Sequence, residues 1–329
     1  MAKLKKGLVF GKYMPVHAGH LALIEFAKSQ CEQVIVSMSF MPNDPIDHAL
    51  RLGWLQKIFE GQPNIILVEK IDDFHDESLP LFEATKLWAD FIRREFPNIE
   101  AFFCSEDYGE PLSFHLGLPC ILFDKARTQI PVSASKIRAN PFAYWDFIPS
   151  VVRPYFVKKV CLFGPESVGK TVLSQKLAKH YYTIFVPEAA REILTSNDID
   201  EVIITKIGER QTELVKEKTA LANKLLFCDT DLITTQIYAR HYLGFVPEAL
   251  PILEQELDYD LYFLLDIDVE WVDDPLRDLG DRRVEMYQIF KAELDKRQIK
   301  YICIDGNWND RMSKMIDEIN KLLVPVLPI

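Results

Sequence analysis

The chain lacks the usual features of secreted, membrane-spanning and nucleic-acid-binding proteins. Its six cysteines form no Cys-x-x-Cys pair, which argues against a disulfide framework and a cysteine-rich zinc module. No apolar run reaches the roughly 18 residues of a membrane helix, and the apolar stretch after the N-terminal lysines is too short for a signal peptide. The net charge of -11 argues against general affinity for DNA or RNA. We therefore expect a cytoplasmic protein with reduced cysteines and no membrane or nucleic-acid partner.

Short apolar segments alternate with amphipathic ones through both halves of the chain. This alternation predicts an α/β protein with two parallel-sheet domains, because the 329 residues are about twice a usual domain length. Prolines and aromatic residues between 140 and 158 mark the join, so the predicted domains are 1–150 and 151–329. The predicted strands are 7–10, 33–39, 65–69, 101–104, 120–123, 159–163, 184–186, 225–228, 261–265 and 301–304. Helices are predicted notably at 18–30, 49–59 and 82–96.

The N-terminal half carries the string GKYMPVHAGH at residues 11–20, between a predicted strand and a predicted helix. Two imidazoles three residues apart at a helix start can both face a bound phosphate, and Gly19 lets that phosphate approach the backbone. Two helix-start histidines without a role are the alternative for His17 and His20. The longer string resembles the H-x-G-H signature of the nucleotidyltransferase superfamily. That resemblance implies attack on a nucleotide's α-phosphate with release of pyrophosphate.

A second phosphate motif lies about 110 residues downstream, in the string VSASKIR at residues 132–138. It resembles the late I-S-S-T-x-x-R motif of the same superfamily, with the hydroxyl of Ser135 in place of the threonine. Hydroxyls and backbone N–H groups at a helix start, with an arginine one turn in, suit β- and γ-phosphates. The predicted catalytic residues of this half are Lys12, His17, His20 and Arg138, and the predicted ATP-binding residues are Gly11, Met14, Gly19, Ser133 and Ser135.

The C-terminal half carries GPESVGKT at residues 164–171, directly after a predicted strand and before a predicted helix. This context predicts a P-loop, in which backbone N–H groups hold the phosphates, Lys170 reaches their β/γ oxygens and Thr171 binds Mg²⁺. ATP is therefore an expected ligand. The predicted nucleotide-binding residues are Gly164, Glu166, Ser167, Val168, Gly169, Lys170 and Thr171.

Carboxylates at the ends of the neighbouring predicted strands complete a kinase. Asp229 follows an apolar strand, as in a Walker B segment, and is predicted to hold Mg²⁺. Glu188 ends the preceding strand and is our candidate for the base that takes the acceptor hydroxyl's proton, with Asp231 as the rival. A helix-capping acid remains the alternative interpretation of Glu188.

A charged, turn-rich segment at residues 271–283 follows the fourth strand of this half. It is typical of a lid whose arginines close over the transferring phosphoryl group, with Arg277 as a catalytic residue and Arg282 as a nucleotide contact. A solvated run of charges is the alternative. Trp271 is expected to pack on the domain or against a flat ring.

Together these strings resemble the bifunctional nicotinamide-mononucleotide adenylyltransferase/ribosylnicotinamide kinase family of bacterial NAD salvage. The resemblance implies phosphorylation of nicotinamide riboside to the mononucleotide and its adenylylation to NAD, with ATP and Mg²⁺. It also makes Glu188, Arg191 and Asp231 candidates for riboside contacts, and Arg51 and Trp54 candidates for the nicotinamide nucleotide. A core aromatic is the alternative for Trp54. The strings are residues 11–20, 105–109, 132–138, 164–171, 187–191, 229–235 and 271–277.

Other functions stay open at this point. The same pair of domains could act on another vitamin-derived substrate, or sense NAD and ATP with weak turnover. Some members of the family begin with a helix-turn-helix; here the first strand begins near residue 7, so we expect no operator binding. The superfamily is often oligomeric, which leaves a homo-oligomer open.

Overall fold

The computed structural model describes residues 2–73, 78–196 and 199–324. The chain forms two compact units, Met1–Val152 and Arg153–Ile329. Each unit holds one five-stranded, wholly parallel sheet, and the α/β fold class predicted from the sequence is confirmed. Within the described ranges, no helix is both long and apolar enough to cross a bilayer.

The first unit alternates five strands with five α-helices. Its sheet has the order β3-β2-β1-β4-β5. A short 3-10 helix, Trp145–Phe147, lies near the end of the unit. The elements are β1 Leu4–Gly11, α1 Ala18–Gln30, β2 Cys31–Phe40, α2 His48–Ile58, β3 Ile65–Ile71, α3 Leu81–Glu95, β4 Ala101–Cys104, α4 Gly109–Leu116, β5 Cys120–Leu122 and α5 Ala134–Ala139.

The second unit repeats the scheme with the sheet order β10-β9-β6-β8-β7. It opens with a 3-10 turn at Arg153–Phe156, and another, Gly280–Arg282, precedes α11. Its elements are β6 Lys158–Phe163, α6 Lys170–His180, β7 Ile184–Val186, α7 Ala190–Ile193, α8 Glu201–Thr219, β8 Leu225–Asp229, α9 Leu232–Leu243, α10 Ala249–Glu254, β9 Leu261–Leu265, α11 Arg283–Lys296, β10 Tyr301–Ile304 and α12 Trp308–Leu323.

The strands at the centre of both sheets read as continuous apolar runs because helices cover both of their faces. Every residue of β4 and of β8 is buried, and so are the last four of β6. Fully burying one Leu or Phe side chain contributes about 1.5–3 kcal/mol, so such strands carry much of each core. Both apolar sets were recognisable in the sequence.

The strand order of each sheet determines where its site lies. β1 lies between β2 and β4, and β6 lies between β8 and β9, so the chain leaves the central strand of each sheet toward either side. In open parallel sheets this topology forms a crevice beyond the carboxyl ends of the strands, where ligands bind. The string at residues 11–20 and the P-loop both begin at these ends.

Candidate functional site

The two histidines of the first unit form a stacked pair. The His17 and His20 ring centroids are 3.7 Å apart at 22° between planes, and Tyr13 covers His20 from the side at 4.9 Å. His17 caps α1, its Nδ1 accepting a hydrogen bond from the Gly19 backbone at 3.1 Å. A Cβ on Gly19 would lie 3.0 Å from the His17 ring. Because Gly19 has no side chain, it leaves room for the stacked histidine rings and lets a phosphate approach the backbone.

Burial keeps both imidazoles neutral. Desolvation, with the nearby Arg127 charge, lowers the pKa of His17 to about 4, and desolvation and His17 lower the pKa of His20 well below its usual value. Because a neutral ring still carries one N–H, each histidine can donate one hydrogen bond to a phosphate oxygen. The fixed positive charge of the site must come from other residues.

Arg138 brings the two N-terminal motifs together. Its Nη1 donates to the Met14 carbonyl oxygen at 2.5 Å, across 124 positions of sequence, and its Nη2 lies 3.5 Å from the Ser135 hydroxyl. Ser133 caps α5 by accepting from the Lys136 backbone N–H at 3.3 Å. A direct contact therefore joins the two motifs in the first unit.

Sequence reasoning missed Arg127 in this site. Arg127 lies in the loop after β5, its guanidinium lowers the pKa of both histidines, and its Nη2 pairs with Glu106 at 2.6 Å. The Asp124 carboxylate holds the loop by accepting from the backbone N–H groups of residues 128–130. The run from Asp124 to Thr128 matches no motif, so only the fold reveals the proximity.

Two predicted nucleotide contacts of the first unit, Arg51 and Trp54, are buried in the structure. Arg51 has no exposed surface: its Nη1 donates to the Lys12 carbonyl oxygen at 2.6 Å and its Nη2 pairs with Asp44 at 2.8 Å. Asp44 also lies 3.8 Å from the Lys12 ammonium. Arg51 therefore positions the Lys12 loop. Trp54 is 5% exposed and belongs to the core.

An aromatic cavity of about 190 Å³ opens beyond β1, β2 and β3. Phe10 lies 5.3 Å from Tyr108, and Trp88 lies 5.4 Å from Tyr108 at 79° between ring planes. Asp72 and Lys12 add one charge of each sign to the wall. Apart from Tyr108, which lies in the string at residues 105–109, none of these aromatic residues was singled out from the sequence, because an aromatic on a strand or helix usually indicates a core.

The P-loop of the second unit lies between strand β6 and helix α6, as its sequence context predicts. Lys170 Nζ donates to the carbonyl oxygens of Gly164 at 2.8 Å and Pro165 at 2.7 Å, across the mouth of the loop. Gly169 has φ of +92°, and a Cβ there would meet the Trp308 ring at 2.5 Å. Glycine is thus required both by backbone conformation and by space.

The residues predicted to bind Mg²⁺ fit that ion. Thr171 Oγ1 donates to Asp229 Oδ2 at 2.5 Å, and Asp229 Oδ1 is buried with no hydrogen bond from any residue that the structure describes. Burial and the charge of Glu188 raise the pKa of Asp229 to about 6. A cation would relieve that repulsion. The described ranges hold no cluster of three His, Cys, Asp or Glu ligands, and Mg²⁺ in phosphate sites typically takes only one or two protein ligands.

A cavity of about 150 Å³ adjoins the P-loop and holds most of the predicted kinase residues. Glu188 lines it, partly exposed, with its Oε2 3.7 Å from Arg191 Nε. Arg191 pairs with Asp274 at 2.6 Å. The wall combines P-loop residues with side chains from α8 and α9. Its lining includes Glu166, Lys170, Thr171, Glu188, Arg191, Ile204, Gln211, Tyr238, Tyr242 and Arg277.

Asp231 does not lie in this cavity, contrary to its prediction as a rival base and riboside contact. It is 1% exposed and caps α9, accepting from the Thr234 backbone at 3.0 Å and from the Tyr262 hydroxyl at 2.9 Å. Both carboxylate oxygens are therefore used within the fold. The sequence could not distinguish a helix cap from a base, because an acid after a strand suits both.

The charged segment at residues 271–283 covers the P-loop only in part. The Val272 N–H donates to Ser167 Oγ at 2.8 Å, and Arg277 lines the cavity with its Nη1 on the Val272 carbonyl. Arg282 does not line the cavity, and its Nη2 pairs with Glu285 at 2.6 Å, so the structure does not bring it together with the other predicted kinase residues. The next residue, Arg283, donates to the Ser167 carbonyl at 3.1 Å.

Buried Arg311 braces the P-loop and was missed from the sequence. It has no exposed surface, and its Nη1 donates to the Val168 carbonyl at 2.9 Å while its Nη2 reaches the Asp266 carbonyl and the Asp268 carboxylate. Arg311 lies one turn into α12, 143 residues from Val168 in the sequence, and it belongs to no phosphate motif.

Comparisons with known proteins agree with both halves of this description. A family model described as AAA domain matches residues 159–311. The trifunctional NAD biosynthesis/regulator protein NadR of Escherichia coli K12 is 31% identical over 96% of this chain and 83% of its own length, and that of Salmonella typhimurium LT2 is 30% identical over the same shares. The nicotinamide-nucleotide adenylyltransferase of Thermococcus kodakarensis is 27% identical over 41% of this chain and 71% of its own.

Two solved structures of NadR proteins share the fold over the whole chain. One is a complex with NAD and AMP-PNP, with a TM-score of 0.79, and the other a complex with NR, with a TM-score of 0.81. Both are 22% identical to this chain, and each alignment covers the full length of both chains.

Fold, sites and relatives define an enzyme that combines a nucleotidyltransferase with a P-loop kinase. The chain belongs to the NadR family, whose curated members named above share nearly all of its length. Its general role is therefore in NAD biosynthesis.

Proposed function

We propose that the protein makes NAD from nicotinamide riboside in two ATP-dependent steps. The second domain, residues 151–329, phosphorylates the riboside to nicotinamide mononucleotide. The first domain, residues 1–150, joins the mononucleotide to AMP from a second ATP and releases pyrophosphate.

The coexistence of two differently built phosphate sites in one chain of the NadR family carries this proposal. A P-loop with Thr171 on Asp229 suits phosphoryl transfer, whereas the histidine pair with Arg138 suits an α-phosphate. The two NadR structures with the same fold hold NAD with AMP-PNP and NR, and these ligands are the product, an ATP analogue and the starting riboside of the proposed sequence.

In the proposed kinase step, the P-loop amides and Lys170 hold the β- and γ-phosphates of ATP. Thr171 and Asp229 would hold Mg²⁺, which neutralises charge on those phosphates when it is bound. Glu188, in the same cavity, takes the proton from the acceptor hydroxyl as that oxygen attacks the γ-phosphorus. Arg277 lies on the cavity wall, where its charge stabilises the transferring phosphoryl group.

In the proposed adenylyl transfer, a phosphate oxygen of the mononucleotide attacks the α-phosphorus of ATP and pyrophosphate leaves. His17 and His20 each offer a neutral N–H donor. Lys12 and Arg138 are the basic residues that face the phosphates. No base is needed because the attacking phosphate is already ionised. Catalysis here is positional and electrostatic.

The decisive experiment follows products over time from nicotinamide riboside and Mg-ATP. We expect the mononucleotide to rise first and NAD and pyrophosphate to follow, with two ATP molecules consumed for each NAD. Nicotinamide mononucleotide supplied directly should give NAD with one ATP.

Absence of product from either starting compound would contradict the proposal and favour an NAD- and ATP-binding regulator. Turnover of pantetheine phosphate or another vitamin-derived acceptor, with nicotinamide compounds inert, would favour a different substrate. A chain unable to turn over the riboside but able to adenylylate the mononucleotide would limit the proposal to the first domain.

A further inference from the structure

The kinase cavity contains a carboxylate that the reaction described above does not use. Glu166, the third residue of the P-loop, lines the cavity together with Tyr238 and Tyr242 of α9. The two tyrosine rings are nearly parallel, at 18° and 6.3 Å between centroids. The Tyr242 hydroxyl donates to Asp278 Oδ1 at 2.7 Å, which places another acid beside the pair.

The Glu166 carboxylate is incompletely satisfied. A backbone hydrogen bond from Leu279 reaches it, but its Oε2 is buried and receives no hydrogen bond from any residue in the described ranges. Burial and the charges of Asp278 and Glu188 raise the pKa of Glu166 to about 7, against the opposing effect of Lys170. A buried carboxylate left without a full set of donors costs free energy.

The cations that line the cavity have hydrogen-bond or ion-pair partners other than Glu166. Lys170 lies on the Gly164 and Pro165 carbonyls, Arg191 pairs with Asp274, and Arg277 donates to the Val272 carbonyl. Acidic groups and tyrosine side chains are concentrated around Glu166, and the charge of Lys170 offsets those acids only in part. A positively charged flat ring matches this combination, because aromatic faces attract cations and a carboxylate pairs with them.

We propose that Glu166 is a specificity-determining residue that makes the acceptor site select a cationic, planar base over a neutral one of the same shape. This inference rests on the proposed kinase function and deepens it. Nicotinamide riboside carries a permanent positive charge on its pyridinium nitrogen. Its ring lies near Glu166 and the two tyrosines, while the riboside hydroxyl faces Glu188.

The test compares two isosteric substrates in the full-length protein. Benzamide riboside has the shape of nicotinamide riboside but carries no ring charge. In Glu166→Gln, we expect kcat/KM for nicotinamide riboside to fall about 10- to 30-fold through KM, since one charge pair inside the cavity is lost. The kcat/KM for benzamide riboside should change less than about 3-fold, and Glu166→Asp should retain much of the preference for the cation.

The pH dependence of KM supplies a second readout. Protonation of wild-type Glu166 below about pH 7 removes its charge. The KM for nicotinamide riboside should then rise as the pH falls from 8 to 6, with no matching rise for benzamide riboside. Glu166→Gln should remove this difference. Glu213→Gln, on the solvent side of α8, is the matched control and should behave as wild type.

Equal losses for both ribosides, or a fall in kcat with KM unchanged, would overturn the inference and assign Glu166 to loop structure or to proton transfer. If the wild-type protein phosphorylates neither riboside, the proposed function fails instead. Binding then still tests the inference. With AMP-PNP present, calorimetry should show tighter binding of the 1-methylnicotinamide cation than of neutral nicotinamide, and Glu166→Gln should abolish the difference; equal binding by the wild type would refute it.

Discussion

The two phosphate sites of this chain are organised in opposite ways. The first unit presents side chains: a stacked pair of neutral histidines, with Arg138 fixed on the Met14 carbonyl. The second unit presents backbone N–H groups in a glycine-dependent loop, with Lys170 across its mouth. One site depends on packing around a few rings and the other on the conformation of a short loop.

This difference determines what each site tolerates. A side-chain site loses one donor at a time, since its neighbours remain packed when one ring is removed. A backbone loop keeps its donors but depends on remote supports such as Arg311 and Arg283, which donate to P-loop carbonyls. We expect single changes in the first unit to alter catalysis alone, and changes around the P-loop to alter both stability and ATP affinity.

The largest expected effect is that of Lys170→Ala. Loss of the cation that reaches the β/γ oxygens should lower kcat/KM for riboside phosphorylation by about 10³-fold or more. Adenylylation of the mononucleotide, measured separately, should change less than about 2-fold. Lys176→Ala, on the same helix with its ammonium over the Trp308 ring, is the control and should retain both activities. Loss of both activities in folded Lys170→Ala protein would contradict two independent sites.

His20→Ala tests the site of the first unit, which is built from side chains. Because a neutral donor to the α-phosphate is lost, we expect adenylylation to fall about 10²- to 10³-fold while riboside phosphorylation is unaffected. His20→Asn, which keeps an N–H donor, should recover part of the loss. His115→Ala, in the same unit but hydrogen-bonded to the Phe82 carbonyl, serves as the control. A loss in His115→Ala equal to that in His20→Ala would indicate damage to the fold rather than to the site.

Arg311→Met tests whether the buried Arg311 guanidinium stabilises the P-loop. Removing the buried guanidinium leaves the Val168 and Asp266 carbonyls without their donor, which should lower the free energy of unfolding by about 3 kcal/mol. The KM for ATP in the kinase assay should also rise. Denaturant unfolding and kinetics measure the two effects. The control is Arg210→Met, at a partly exposed arginine of α8 that, among the described residues, pairs only with surface glutamates and donates to no P-loop carbonyl. Unchanged stability together with an unchanged KM for ATP would show that Arg311 does not stabilise the P-loop.

Much of this molecule is predictable because its strongest signals are local. Strand β4, strand β9 and helix α1 begin and end where their apolar patterns predict. The P-loop and the Gly11–His20 string identify phosphate sites because a glycine or a donor must occupy a fixed place in a short turn. Fixed spacing within one turn leaves little for tertiary structure to change.

Other residues have structural partners that no local pattern reveals. Asp231 and Arg51 have side chains suited to ligands, but their partners, Tyr262 and the Lys12 carbonyl, are distant in sequence. Arg311 and Arg127 carry no motif, and they matter only through what the fold places beside them. A single sequence does not specify such pairings, because they depend on how strands and helices pack.

The sequence by itself determined that two α/β units each carry a phosphate site at the carboxyl end of a central strand, since hydrophobic periodicity and short glycine-containing turns act over a few residues. Only the tertiary structure decided which polar side chains serve those sites and which serve the fold. It buried Arg51 and Asp231, and it left the Glu166 carboxylate without a full set of donors. Burial and hydrogen-bond partners arise when distant segments meet, and they set the charge and the availability of each group.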